Sequence, residues 1–154
     1  MSFSQCSSPN GPIMPELVKM FPDAPFIARP GQINAWDNEE FVAAVRATGK
    51  KQLIIAGVVT EVCVAFPALS ALAADYDVFV IIDASGTFDE ITRQASIDRM
   101  LAAGAQTMTW FAAACELHRD WRKDMQGLGA LFGKYISDYQ NLMTSYTALA
   151  PPLK

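Results

Sequence analysis

The chain has 154 residues and a net charge of −4; 51% of its residues are apolar and 18% charged. That length suits one domain spanning residues 1–154, and the apolar content can build a core that a disordered segment could not. No basic stripe is visible, which excludes the usual footprint of a nucleic-acid binder or of a protein drawn to anionic membranes.

Residues 1–15 are rich in Ser, Pro, Gly and Asn, a composition that predicts a loop with no strand or helix anchoring the start. Pro15 to Met20 suits a short helical turn. Phe26–Ala28 reads as a brief extended piece before the Arg29-Pro30-Gly31 turn. A helix is predicted within Asn34–Thr48, capped by Asp37 or Asn38, with Phe41, Val42 and Val45 on one stripe and Gly49 as its stop.

Gln52 to Val59 is an almost unbroken apolar run, as expected of a strand buried on both faces. Glu61–Ala74 follows as an Ala- and Leu-rich helix, and Asp77–Asp83 as a second buried strand. Residues 84–88 form a loop, Glu90–Ala103 a helix stopped by Gly104, and Gln106–Trp110 a third strand. Helices are expected over 112–124 and 127–136. The tail, 137–154, shows no strong period and ends in Pro151-Pro152. Alternating helices and strands imply an α/β fold: a three-layer, Rossmann-like parallel sheet with helices on both faces.

The cysteines are Cys6, Cys63 and Cys115. Their wide spacing fits neither a disulfide framework nor a zinc site. The apolar runs near 53–59 and 78–82 are too short to span a bilayer. With no leader in view, a soluble cytoplasmic setting without membrane or nucleic-acid partners is expected.

Ligands of open parallel α/β sheets bind beyond the carboxyl ends of the strands. At that end of the first long strand stands Gly57-Val58-Val59-Thr60-Glu61-Val62-Cys63-Val64, with Cys63 in the first turn of the next helix. Backbone donors and the helix dipole there favour a thiolate and can hold an oxyanion. A cysteine among valines and alanines also suits a plain core position. Cys6 falls in a loop and Cys115 among alanines. His118, the single histidine, lies in a solvated or interfacial stretch.

Gly57 to Val64 resembles the nucleophile motif of isochorismatase-like cysteine hydrolases. Further segments resemble the YcaC-type branch of that family: Pro9-Asn10-Gly11-Pro12, Ile27-Ala28-Arg29-Pro30-Gly31, Ile33-Asn34-Ala35-Trp36-Asp37-Asn38, Asp83-Ala84-Ser85-Gly86-Thr87-Phe88 and Glu116-Leu117-His118-Arg119-Asp120-Trp121-Arg122. The resemblance runs from about residue 9 to about residue 147.

It implies a hydrolase acting on a small amide-like substrate through a covalent cysteine intermediate. In the family an Asp is the general base, a Lys the cation and a Cys the nucleophile. Cys63 matches the nucleophile and Arg29 falls at the cation position, where it keeps the charge but cannot give up a proton. A cis peptide before the nucleophile would fall at Val58–Val59, with the N–H groups of Val59 and Cys63 as the oxyanion hole. Asn34, Trp36, Thr87 and Phe88 are the candidate substrate-binding residues; Trp36, Phe88, Trp110 and Phe111 could line an apolar pocket, with a place in the core or at a subunit interface an equal reading for each. Glu61 suits a helix-start carboxylate. No metal and no cofactor are implied, because the histidine pair of the nicotinamidase branch has no counterpart. Ring-like oligomers in the branch imply a homo-oligomer.

The family's Asp belongs to an Asp-x-Gln motif ending its first strand. No Asp in residues 1–28 is equivalent, since Asp23 lies in the Phe-Pro-Asp loop. The chain is therefore expected to be N-terminally incomplete and weak or inactive in isolation. A non-catalytic, oligomer-forming pseudoenzyme and a thiol redox sensor built on Cys63 remain open beside the hydrolase.

Overall fold

A computed structural model describes Met1, residues 3–6 and residues 11–149. The chain divides into two compact units, Met1–Trp110 and Phe111–Lys154.

The first unit alternates strands with helices: β1 (Phe3–Cys6), α1 (Pro15–Met20), β2 (Phe26–Arg29), α2 (Glu39–Ala47), β3 (Gln52–Ile55), α3 (Ala65–Ala73), β4 (Asp77–Ile81), α4 (Glu90–Ala102) and β5 (Gln106–Met108). Every pairing is parallel. β1 and β2 form one sheet, and β3, β4 and β5 form another in that order. The α/β class and parallel pairing match the expectation.

Burial follows strand position. β4 has a neighbour on each side, and its Val78, Val80 and Ile81 are all buried. Among the described residues β3 has a ladder on one side only, and its Ile54 is exposed. The apolar run 52–59 therefore does not form the doubly buried strand expected of it. Four of its residues are strand, and the rest leaves the sheet for the turn that follows.

α3 supplies the close helix packing. Ala65, Ala68 and Ala71 are fully buried in one cluster with Val64, Val78, Val80 and Met100. Small side chains on that face let the helix backbone approach β4 closely. α2 starts where Asn38 Oδ1 accepts the Phe41 N–H at 2.9 Å, with Glu39 and Glu40 in the first turn opposing the helix dipole. α4 starts on Asp89, whose Oδ1 accepts the Thr92 N–H at 2.8 Å. Both helices are followed by a glycine at positive φ, Gly49 and Gly104, a conformation that costs a glycine little.

The second unit carries α5 (Trp110–His118, starting at the boundary residue), α6 (Met125–Tyr135) and α7 (Ser137–Leu149). Its centre is Phe132, fully buried, with the rings of Phe111, Trp121 and Tyr139 set edge-on to it at 4.6, 5.7 and 5.6 Å. Phe111 thus packs in an aromatic core, one of the two places its sequence position left open.

Two expectations about the ends need correction. Residues 3–6 are strand, not loop: Phe3 is buried and pairs across from Phe26, and the Ser-rich surroundings hid this short run. Residues 137–149 form a helix although no apolar period was evident, because α7 buries none of its residues and so carries no inward stripe. Pro9 and Asn10 of the Pro-Asn-Gly-Pro segment and the terminal Pro151-Pro152 lie outside the described residues. Among the described residues no helix is long and apolar enough to cross a membrane.

Met100 is fully buried in the first unit's core. Met100→Ala should lower the unfolding free energy by about 2–5 kcal/mol in urea titrations. A loss well under 1 kcal/mol would show that α4 does not seal this core. Asp89 titrates below the ordinary carboxylate value of 3.8, chiefly because its side chain accepts the Thr92 N–H. A depressed folded-state pKa adds stability above the unfolded value, and that stability is lost as pH falls through the folded value. The stability gap between wild type and Asp89→Ala should therefore be largest at neutral pH and close below pH 3.8. A gap that stays constant down to strongly acidic pH would remove the cap argument.

Candidate active site

The chain leaves β3 at Ile55 and reaches Cys63 through Gly57, Val58 and Val59, then a five-residue π turn, Thr60–Val64, that runs into α3. The Val58–Val59 peptide is cis, at the bond the family resemblance marks. The Val59 carbonyl accepts the N–H groups of Val62 at 3.3 Å and Val64 at 3.2 Å, which sets the wide turn. Pro67 explains why the turn is wide. It has no N–H to offer the Cys63 carbonyl four residues back, and its ring crowds that carbonyl. A tight α-helical turn through Cys63 is thereby disfavoured. Isolated π turns of this kind recur at functional sites.

A strap from the end of β4 fixes this turn. The Gly86 carbonyl accepts both the Thr60 N–H and the Thr60 hydroxyl, each at 2.7 Å. The Gly86 N–H returns a bond to the Gly57 carbonyl at 3.0 Å, so Val58 and Gly86 form a parallel bridge. The Ser85 hydroxyl donates to the Ile81 carbonyl at 2.7 Å and accepts the Gly57 N–H at 3.4 Å. The Thr87 hydroxyl has one proton and two acceptors in reach: Glu61 Oε2 at 3.2 Å and the Asp89 carbonyl at 3.3 Å. Thr60 and Ser85 are buried.

Within this frame the Cys63 thiol is free and half-buried. Thr87 is tied to Glu61, which is itself half-buried rather than solvated. Phe88 projects outward, 82% exposed.

Arg29 stands at the carboxyl end of β2 and is 4% exposed. Its Nη1 donates to the Gln32 and Ile33 carbonyls, the latter at 2.8 Å. Asn34 Oδ1 accepts the Trp36 N–H at 3.0 Å, while its Nδ2 donates to Ser70 Oγ on α3 at 3.0 Å. Trp36 packs edge-on against Tyr76 at 5.6 Å and Phe41 at 6.3 Å. It also borders an open groove of about 820 Å³ along α2, whose walls include no residue of the Cys63 turn. Cys115 is a free thiol in α5. Among the described residues no group of three His, Cys, Asp or Glu side chains could hold a metal ion.

Sequence reasoning named Thr87 and Phe88 but missed Thr60, Ser85, Gly86 and Ser70. The signal for Gly86 was present: a glycine directly after an apolar strand marks close backbone approach. A Cβ there would sit 3.0 Å from Val58 Cγ2.

The isochorismatase domain model matches residues 4–111 of this chain. The chain is a member of the isochorismatase family. It is 70% identical over 143 residues to the probable hydrolase YcaC of Escherichia coli (strain K12), covering 93% of this chain and 69% of that protein. The crystal structure of E. coli YcaC, an octameric hydrolase of unknown specificity, aligns with a TM-score of 0.90 at 68% identity, covering 97% of this chain and 74% of that one. YcaC from Pseudomonas aeruginosa, solved with hexane-2,5-diol and covalent acrylamide, aligns with a TM-score of 0.87 at 64% identity, over 94% of this chain and 71% of that one. The three-layer, Rossmann-like fold expected from the strand order is thus the fold of this isochorismatase family member.

If the Gly86 strap holds the Cys63 turn, both of its ends should report on stability. Thr60→Val keeps the shape and removes one buried hydroxyl bond, a loss of about 0.5–1.5 kcal/mol. Gly86→Ala drives a methyl group against Val58 and should cost about 1–3 kcal/mol. Unfolding midpoints unchanged by both substitutions would show that the strap is incidental.

Proposed function

We propose that the chain is a cysteine hydrolase of a small amide-like substrate, with Cys63 as nucleophile and Arg29 as the fixed positive charge. The observation that carries this reading is the position of Cys63: a free, half-buried thiol on a braced turn at the carboxyl end of a parallel strand. The covalent acrylamide in the P. aeruginosa relative adds support for a reactive thiol, because acrylamide captures thiolates by addition at its vinyl carbon.

In this reading the Cys63 thiolate attacks the amide carbonyl carbon. The carbonyl electron pair moves to oxygen and is held by the N–H groups of Val59 and Cys63. The tetrahedral adduct collapses, the C–N bond breaks, and the nitrogen takes a proton and leaves as amine or ammonia. Water then attacks the thioester, releasing a carboxylic acid and restoring the thiol. Arg29 steadies the anionic species and transfers no proton.

No Asp in residues 1–28 matches the family's general base, so the chain by itself turns over slowly. Loss of such a base costs about 10²–10⁴-fold. By analogy with the octameric E. coli relative, the chain also self-associates.

The test is covalent trapping. The full chain is incubated with acrylamide, and the modified peptides are mapped by mass spectrometry. Cys63 should be modified well ahead of Cys6 and Cys115, and Cys63→Ser should abolish the fast phase. Ammonia release from a panel of small amides should be slow in wild type and absent in Cys63→Ser. Modification of the other cysteines with Cys63 untouched would sink the proposal.

A further inference from the structure

We infer that Glu61 sets the charge preference of the Cys63 site: it admits small amides that are neutral or positively charged and turns away those that carry a carboxylate. The inference rests on the cysteine-hydrolase reading above and deepens it by naming the class of substrate.

Glu61 belongs to the same five-residue turn as Cys63, two positions before it. The hydroxyls that brace this turn are spent. Thr60 donates to the Gly86 carbonyl at 2.7 Å, and Ser85 donates to the Ile81 carbonyl at 2.7 Å while accepting the Gly57 N–H. Glu61 is different. Its Oε2 accepts from the Thr87 hydroxyl at 3.2 Å, but that one proton also has the Asp89 carbonyl in reach at 3.3 Å. Its Oε1 is covered by the protein and has no hydrogen-bond partner. A carboxylate can accept about four hydrogen bonds and donates none. This one shares a single donor and is half withdrawn from water. Its negative charge is therefore little neutralised by the chain and less screened than a surface charge. The covered oxygen acts through that field and needs no direct contact with a ligand.

The surroundings favour the field. Val58 in the turn and Phe88 beside the strap are apolar, and low-dielectric walls focus a field. Asp89 and Glu90 are the other carboxylates where the strap meets α4. Asp89 accepts the Thr92 N–H, and Glu90 is 84% exposed with Arg93 at 3.9 Å. Water and partners damp both. On the hydrolase reading Arg29 serves the oxygen that turns negative, which leaves Glu61 to act on the rest of the substrate. A second carboxylate there is repelled, and such repulsion is one way a site gains specificity.

The test modifies Cys63 with two methanethiosulfonates of similar size, one ending in an ammonium group and one in a sulfonate. In each case the thiolate attacks the sulfenyl sulfur, a disulfide forms and methanesulfinate leaves. Rates at the Cys63 peptide of the full chain are followed by mass spectrometry and divided by those of mercaptoethanol with the same reagents. The ammonium reagent should be favoured by about tenfold or more over that reference, and added salt should shrink the preference. Glu61→Gln keeps an acceptor for Thr87 and removes the charge, so the preference should fall to near the reference. A purely structural role would slow both reagents alike. Asp89→Asn combined with Glu90→Gln should leave the preference in place. A wild-type preference no larger than the reference, or one that survives Glu61→Gln, overturns the inference and leaves the nucleophile reading standing. Should Glu61→Gln fail to fold, the Asp89→Asn and Glu90→Gln pair decides. Loss of the preference there places the field on α4 and overturns the inference, and its retention supports Glu61. A Cys63 that reacts with neither reagent overturns both readings.

Discussion

The Gly86 carbonyl holds together the two strand ends that matter most in this fold. It receives the N–H and the hydroxyl of Thr60, and the Gly86 N–H gives a bond back to Gly57. All of these groups are withdrawn from water or nearly so, where an unmade bond costs more than a made one returns. The strap therefore resists small adjustments. It sets the path of the chain from β3 into the π turn, and that path sets where the Cys63 sulfur lies.

The same economy of space explains the residues behind the turn. Ala65, Ala68 and Ala71 bring α3 close to β4, and Val64 fills the corner. Pro67 keeps the helix from starting one turn earlier. Cys63 is left at the junction, neither sealed into the core nor standing free on the surface. A thiol in that position can meet a small molecule without losing the backbone donors around it. The buried core centres on the paired strand β4 and its covering helices, while the Cys63 turn leaves from the end of β3.

Much of this was legible because the signals were local. Asn38, one of the two expected caps, and the glycine after α2 bound that helix, and the strand expected over Asp77–Asp83 holds over Asp77–Ile81 before a 3-10 turn. Cys63 was legible from its place between a strand and a helix. What stayed hidden depends on partners distant in sequence. β1 is strand because β2 lies beside it, a pairing invisible in Phe3-Ser4-Gln5-Cys6 alone. Residues 56–59 looked like strand because apolar content does not tell a ladder from a turn. α7 escaped notice because none of its residues is buried, so no inward apolar period stands out although Tyr139 packs on Phe132.

Arg29 and Cys63 come from different sheets, so any joint action depends on what holds those sheets in step. β2 ends at Arg29, and the guanidinium immediately grips the carbonyls of Gln32 and Ile33, which fixes the bend that follows. Asn34 then reaches Ser70 on α3, and Trp36 seats itself against Tyr76 beyond the end of α3. The first contact joins the Arg29 segment to the helix that follows the cysteine turn, and the second to the connection between α3 and β4. A guanidinium anchored in this way cannot follow a moving proton and has no proton to give at neutral pH. An anchored guanidinium supplies a fixed field, and a fixed field is worth most where the charge it faces is also fixed. The tie through Asn34, Ser70, Trp36 and Tyr76 therefore keeps the bend after Arg29 in step with the chain on either side of α3.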